Sequence, residues 1–137
     1  MAAIGRVQLT RFETEFKPLR ITLAQRYKDL LVGTPSVRTL PVEYGPIVPH
    51  IFPVYFTNGA RDAVRDALAE RGIETGIHYK PNHLLTLYGG GGESLPVAER
   101  LYEETLTLPL HPVLKDVEQY EIVDVVIRVA TKAEQAA

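Results

Sequence analysis

The sequence predicts a small α/β (α+β) domain in which helices pack on a three-stranded sheet, preceded by a long, kinked N-terminal helix. Three observations support this prediction. Apolar residues recur at helical spacing over the first 31 residues, three short runs have the composition of strands, and Gly, Pro or Asn residues separate them. With 137 residues, 45% of them hydrophobic and 23% charged, the chain is long enough to form one core.

The first predicted element is a helix within residues 1–33. Its apolar residues step by three or four from Phe12 to Leu30, which places them on one face. Pro18 interrupts this pattern because it lacks a backbone N–H and clashes with the preceding turn. We therefore expect a kink near Pro18, or a second helix that restarts there. Gly33 ends the segment, and residues 34–137 form the predicted small domain.

The next elements are a connector, a strand and a helix. Residues 34–49 contain four prolines, which favours an extended connector. Residues 50–56 are apolar and aromatic, which is typical of a strand, and Pro53 in this run predicts an edge strand or a bulge. After the turn at Asn58 and Gly59, the spacing predicts a helix over residues 61–71.

The remaining elements complete the predicted sheet and its helices. Residues 73–79 are predicted as the second strand, and residues 80–93 as a loop whose four consecutive glycines, Gly89–Gly92, form a flexible tip. Ser94 is expected to cap a helix over residues 95–104, and residues 105–108 form the third strand. A pattern typical of a capping box at 116–119 starts the last helix, which should end near residue 130 in a fraying tail.

Composition and charge argue against several classes of binding partner. The formal net charge is -2 and the basic residues are dispersed, which argues against a nucleic-acid partner. The chain has no cysteine, so disulfides and thiolate chemistry are excluded. No apolar run approaches the roughly 20 residues that span a bilayer. We expect a soluble, cytoplasmic protein with no membrane partner.

The candidate binding residues lie in one segment. His78, Tyr79, Lys80 and His83 follow a predicted strand, where loops commonly carry functional side chains. Imidazoles donate to anionic oxygens or relay protons near neutral pH. The alternative is a turn with surface histidines. The two histidines are five residues apart with no third ligand in view, so no metal site is predicted. His50 and His111 are expected to be buried and structural.

Four blocks, in this order and at this spacing, resemble the DegT/DnrJ/EryC1/StrS family of aminotransferases. They are AAIGRVQL at residues 2–9, AERGIETGIHYKPNHL at 69–84, LPVAERL at 95–101 and LTLPLHP at 106–112. The resemblance covers residues 2–128 and implies the small C-terminal domain of a fold-type I enzyme. Members are homodimers that use pyridoxal 5′-phosphate (PLP). Most transfer an amino group from glutamate or glutamine to a keto group on a nucleotide-linked sugar, and some act on cyclitols.

The resemblance also implies that this chain alone is not catalytic. The family holds PLP in a large domain through a lysine that forms the Schiff base, and none of the five lysines here has that sequence context. We therefore predict no catalytic, cofactor-binding or metal-binding residue in the chain, and no PLP bound to it alone. The chain would be a truncated frame, a split gene or an expressed fragment. It would pair as a homodimer or with a large-domain partner.

By the same resemblance, residues 78–83 face the active-site cleft. His78, Tyr79 and His83 would contribute to the side of the cleft that holds the substrate sugar. His78 would donate to a phosphate or hydroxyl group, and Lys80 is added because an ammonium can meet a diphosphate. The alternative function is a free-standing binding or regulatory module. Such a module would bind a nucleotide-sugar or dimerise through the exposed face of the first helix.

Overall fold

A computed structural model describes residues 2–88 and 93–136 of the chain. It has five α-helices and a three-stranded antiparallel sheet of order β1-β2-β3 within this part. The elements are α1 (Ala2–Arg11), a π-helical turn (Phe12–Phe16), α2 (Lys17–Leu31), β1 (Val37–Thr39), β2 (Phe52–Phe56), α3 (Arg61–Ala69), two 3-10 turns (Asn82–Leu84 and Thr86–Tyr88), α4 (Pro96–Glu104), β3 (Thr105–Leu108) and α5 (Asp116–Ala136). This confirms the predicted fold class.

The N-terminal helical segment has two unlike halves. The α-helix restarts at Lys17, after the π-helical turn, so Pro18 falls in the first turn of α2, the position where helices accept proline best. In α2 the predicted apolar stripe is buried at Leu23 and Tyr27, whereas Leu19 near the start of the helix is exposed. In α1, by contrast, no residue is buried, and the side chain of Ile4 is 61% exposed.

The sheet includes a strand that the sequence did not predict. Residues 37–39 lie in the expected connector but form β1, which pairs with β2 so that Val37 faces Phe56 and Thr39 faces Val54. The prediction failed because three residues between prolines carry too little periodicity to mark a strand. The strand forms because the edge of β2 supplies its hydrogen-bond partners.

The prediction of a strand over residues 73–79 is wrong. Only Gly76 pairs with the sheet, through an isolated antiparallel bridge in which Gly76 and Thr107 exchange both backbone hydrogen bonds, at 3.0 and 2.7 Å. Before it, the Ile73 N–H donates to the Leu68 carbonyl at 3.0 Å and closes the end of α3. The segment therefore touches the outer edge of β3 at one residue.

Pro53 lies in the central strand and not in an edge strand. Thr107 uses its backbone N–H and C=O on Gly76, so the Pro53–Thr107 pair across β2 and β3 is not hydrogen-bonded. The nitrogen of Pro53 therefore faces the β1 side, just past the end of β1 at Thr39. No ladder hydrogen bond is lost there, which is why the central strand accepts a proline.

The core fills one face of the sheet. Residues 52, 54 and 56 of β2 and 106 and 108 of β3 point into it and meet α2, α3 and α5. Gln119 is fully buried between helices, where its Nε2 donates to the Leu23 carbonyl at 2.7 Å and its Oε1 accepts from Arg26 at 3.2 Å. This polar link fixes the contact between α2 and α5.

The last helix is longer than predicted. It runs to Ala136, so residues 131–136 are helical. Glu134 explains the extension, because its carboxylate accepts hydrogen bonds from Ser36, just before β1, and from Asn58, just after β2. The predicted glycine tip at 89–92 lies outside the described residues.

The described helices are all too short or too polar to cross a lipid bilayer.

Candidate functional site

The candidate site lies on the sheet face opposite the core. Alternation along β2 and β3 points Pro53, Tyr55 and Thr105 away from the core, and α4 covers only part of this face. The space left is a groove of about 390 Å³ between α4 and the segment after Gly76. We call it the outer groove; it is lined by Ile51, Pro53, Tyr55, His78, Tyr79, Pro81, Ala98, Leu101, Tyr102 and Thr105.

His78 is held in this groove by two residues outside the predicted site. Its Nδ1 lies 2.9 Å from the Thr107 hydroxyl, which projects from β3. Its ring also lies over Gly76, where an added Cβ would come within 2.3 Å of the imidazole Cε1. Any side chain at position 76 would displace the ring. With Nδ1 engaged by Thr107, Nε2 is the nitrogen that His78 can offer to a ligand.

His83 is bound to α4. Its Nε2 lies 2.9 Å from Oε1 of Glu99, a residue in the first turns of that helix. The same oxygen accepts the Leu95 N–H at 2.7 Å and the Ser94 hydroxyl at 3.3 Å. The hydrogen bond from His83, followed by that from Leu95, holds the pKa of Glu99 below its usual range. Ser94 is therefore not the predicted helix cap: Leu95 holds that position.

The other two predicted residues have different environments. Tyr79 lines the outer groove although 77% of the residue is exposed, and its ring meets that of His78 edge-on at a centroid distance of 4.8 Å. Lys80 is exposed and does not line the groove. The fold thus brings His78 and Tyr79 together in the outer groove, places His83 against α4 outside the groove lining, and leaves Lys80 at the rim.

The sequence reasoning missed the residues that support these side chains. Thr107 could have been found, because alternation along 105–108 places it with Thr105 on the face away from the core. Glu99 shares α4 with Glu103 and Glu104, a pattern typical of a solvated acidic face, and this pattern does not show that its carboxylate accepts three hydrogen bonds. Tyr55 and Tyr102 join the groove only through tertiary packing.

The expectation that His50 and His111 are buried is also wrong, since both are exposed. His50 borders a second groove of about 640 Å³ between the N-terminal helices and two connectors. We call this the helix-side groove; its lining is mostly apolar and includes Leu9, Phe12, Phe16, Arg20, Val48 and Val113. The guanidinium of Arg20 donates there to the backbone carbonyls of Pro49 and His50, at 3.3 and 3.1 Å.

The chemistry available in the outer groove is recognition. It offers tyrosine rings and one imidazole nitrogen, a set suited to a polyhydroxylated or anionic ligand, whereas the Thr105 hydroxyl already donates to the Leu101 carbonyl. Over residues 2–88 and 93–136, no group of three His, Cys, Asp or Glu side chains is placed to hold a metal ion.

The lysines do not fit a PLP site. A Schiff-base lysine needs a free amine in an enclosed cleft. Lys17 donates to Glu13 at 2.8 Å, and Lys28 donates to the Val42 carbonyl and to Glu43 at 3.0 and 3.1 Å. The other three, Lys80, Lys115 and Lys132, are exposed. No step of a reaction is therefore assigned to the cofactor within this chain.

Three known proteins resemble this one over most of its length. A dTDP-4-dehydro-2,3,6-trideoxy-D-glucose 4-aminotransferase from Saccharopolyspora spinosa is 38% identical over 125 residues, which are 90% of this chain and 32% of the relative. The crystal structure of the aminotransferase TlmJ from Streptoalloteichus hindustanus matches with a TM-score of 0.81 and 35% identity, over 96% of this chain and 36% of that one. Spr1654 from Streptococcus pneumoniae, in its PLP-form, matches with a TM-score of 0.85 and 29% identity, over 96% and 35% of the two chains.

The chain therefore spans about a third of the length of the relatives it matches. The model of the DegT/DnrJ/EryC1/StrS aminotransferase family matches residues 1–127, which include every element from α1 to the greater part of α5. This match runs through the segment that carries His78, Tyr79 and His83. The chain belongs to the DegT/DnrJ/EryC1/StrS aminotransferase family.

Proposed function

We propose that this chain is the C-terminal domain of a PLP-dependent aminotransferase that acts on a keto group of a nucleotide-linked sugar or a related cyclitol. Glutamate or glutamine is the amino donor. The rest of the longer protein holds the cofactor, and this chain alone does not catalyse transamination. The observation that carries the proposal is the family match over residues 1–127 together with coverage of only about a third of the relatives.

The outer groove is the substrate side of the cleft in this proposal. His78 donates from Nε2 to a phosphate or hydroxyl oxygen, because Thr107 occupies Nδ1. Tyr79 packs its ring against the sugar, and Lys80 at the rim meets the diphosphate as a mobile point charge. His83 belongs to the same segment, where Glu99 holds it.

The N-terminal helices provide the connection to the rest of the protein. Residues 1–33 form the linking segment and residues 34–137 the small domain. The exposed apolar residues of α1, with exposed fractions of 58–73% for Ile4, Val7 and Leu9, and the helix-side groove are covered by the PLP-holding domain in the complete enzyme. Two such chains form a homodimer in the cytoplasm.

A chimera tests the proposed function. The matching third of the S. spinosa relative is replaced by this chain, and transamination of dTDP-4-dehydro-2,3,6-trideoxy-D-glucose with glutamate is measured. We expect turnover, and a loss of about tenfold or more in kcat/KM for His78→Ala, as for one lost hydrogen bond to a substrate. His111→Ala, which changes an exposed histidine outside the outer groove, is the matched control.

Two results would contradict the proposal. One is a folded chimera that binds PLP but has no activity in conditions where the parent enzyme works. The other is a covalent PLP adduct on one of the five lysines of the isolated chain after borohydride reduction, because that chain would then hold its own cofactor.

A second candidate function is a free-standing binding or dimerisation module, and the exposed apolar residues of α1 favour it. This candidate predicts that the isolated chain self-associates through α1 or is stabilised by a dTDP-sugar. Sedimentation velocity and thermal unfolding with and without dTDP-glucose measure both. A monomer that the ligand does not stabilise rules out this candidate.

A further inference from the structure

We infer that Glu99 is a positioning residue that fixes His83 and decides which of its ring nitrogens can meet a ligand. The inference deepens the proposed function, since it concerns the same binding segment. The inference rests on the hydrogen bonds of the Glu99 carboxylate. The pattern of acidic residues in α4 does not reveal these hydrogen bonds.

The hydrogen bonds of Glu99 allow only one arrangement of protons. Its Oε1 lies 2.7 Å from the Leu95 nitrogen, 2.9 Å from Nε2 of His83 and 3.3 Å from the Ser94 hydroxyl. An ionised carboxylate accepts hydrogen bonds and cannot donate them. Nε2 of His83 must therefore carry the proton, and Nδ1 is the nitrogen left for a ligand.

The carboxylate is a constant acceptor near neutral pH. The hydrogen bonds from His83 and Leu95 lower the pKa of Glu99, and they outweigh the opposite effect of partial burial. The side chains of His83 and Glu99 are 15% and 31% exposed, so solvent competes weakly for this contact. This distinguishes the pair from exposed ion pairs such as Arg11–Glu15, which joins the end of α1 to the π-helical turn.

The contact also joins two distant parts of the chain. His83 precedes Glu99 by 16 residues, whereas Ser94 and Leu95 directly precede α4. One carboxylate thus holds both ends of the connection between residues 83 and 95. Loss of Glu99 would release His83 from α4 and leave the Leu95 N–H without its acceptor.

The consequence is a pair of histidines that present different nitrogens. His78 gives Nδ1 to Thr107 and offers Nε2, whereas His83 gives Nε2 to Glu99 and offers Nδ1. A neutral His83 therefore presents an acceptor to a hydroxyl or ammonium group of the ligand. Two histidines that look equivalent in the sequence have opposite hydrogen-bonding geometry.

The test is NMR of the chain labelled with ¹⁵N-histidine and ¹³C-glutamate, without sugar or cofactor. We expect a slowly exchanging Hε2 proton on His83 that disappears in Glu99→Ala and persists in Glu103→Ala, a change at an exposed glutamate of the same helix. Retention of that proton in Glu99→Ala overturns the inference. Should Glu99→Ala not fold, His83→Ala must raise the pKa of Glu99 toward the ordinary value of a glutamate; an unchanged pKa overturns the inference equally.

The consequence for ligand binding is measured in the chimera. Glu99→Ala is expected to raise KM for the dTDP-sugar about tenfold with a smaller change in kcat, and Glu103→Ala is expected to change neither. An unaltered KM in Glu99→Ala removes the link to the ligand. The NMR arm contains no substrate, so it is unaffected if the proposed enzyme activity is wrong.

Discussion

The two halves of the N-terminal helical segment contrast sharply. In α2 the residues Leu23, Ala24, Tyr27 and Leu31 are buried against the sheet and α5, whereas α1 buries none of its ten residues. The sequences of both halves contain apolar residues, so composition does not separate them. The difference teaches that a segment can stay helical where no core lies beside it. The packed body (α2 to α5 and the sheet) and the unpacked arm (α1) should therefore respond differently to matched substitutions.

The largest expected effect comes from the core. Leu106→Ala removes a fully buried side chain from β3 and should lower the free energy of unfolding by about 2–5 kcal/mol, through lost burial and a residual cavity. Leu9→Ala in α1 changes a residue that is 73% exposed and should cost less than about 0.5 kcal/mol. Urea unfolding followed by circular dichroism measures both, and equal losses would show that the arm is packed.

The next largest loss of stability is expected when the buried hydrogen bonds of Gln119 are removed. Gln119→Leu keeps the volume but removes two hydrogen bonds, to the Leu23 carbonyl and from Arg26, which keeps its contact with Asp116; the expected cost is about 1–3 kcal/mol. Gln8→Leu makes the same chemical change on the arm and should be nearly neutral. The pair is compared by chemical denaturation. A neutral Gln119→Leu would mean that α2 and α5 do not depend on this link.

The packed body should also have a lower free energy of unfolding at high pH, because it buries a tyrosine. Burial raises the pKa of Tyr27, whose hydroxyl donates to the Pro109 carbonyl at 3.1 Å, above the ordinary value near 10. The unfolded chain then releases this proton first, so stability is full below pH 10 and falls above it, by up to about 1.4 kcal/mol per pH unit.

Tyr27→Phe is the control for that pH dependence. It cannot ionise, so the alkaline slope should shrink. Burial also raises the pKa of Tyr44, which leaves a smaller slope of the same sign. Denaturation curves collected from pH 8 to 11 measure the difference, and parallel slopes in the two proteins would exclude Tyr27 as the cause.

The smallest change in the free energy of unfolding is expected from a substitution beside His78. Gly76→Ala places a Cβ 2.3 Å from Cε1 of His78, so the ring must leave Thr107, at a cost of about 1 kcal/mol. Gly5→Ala in α1 meets no atom within 4 Å and should raise helicity instead. The His78 imidazole NMR signals should shift only in Gly76→Ala. Unshifted signals would mean that Gly76 does not position this ring.

Local patterns predicted the elements that carry their own signals. Helices α3 and α4 and strands β2 and β3 follow from spacing and composition, and all but α4 end near a residue that marks a turn. Strand β1 could not be predicted, because Val37–Thr39 pairs only when β2 is present. Residues 73–79 have strand-like composition, yet only Gly76 reaches β3. In the candidate site, residue types identified His78 and Tyr79, whereas Thr107 and Glu99 act through contacts distant in sequence.

Because Gly76 and Thr107 form a bridge, one backbone amide of the sheet reports on the position of the neighbouring segment. The backbone N–H of Thr107 is protected from solvent by the Gly76 carbonyl, which belongs to the segment leading to His78. Whenever that segment lifts away, this amide is exposed and can take up deuterium. The hydrogen-exchange rate of the Thr107 amide therefore reports how often this segment separates from β3. A ligand that binds against His78 will lower that exchange rate.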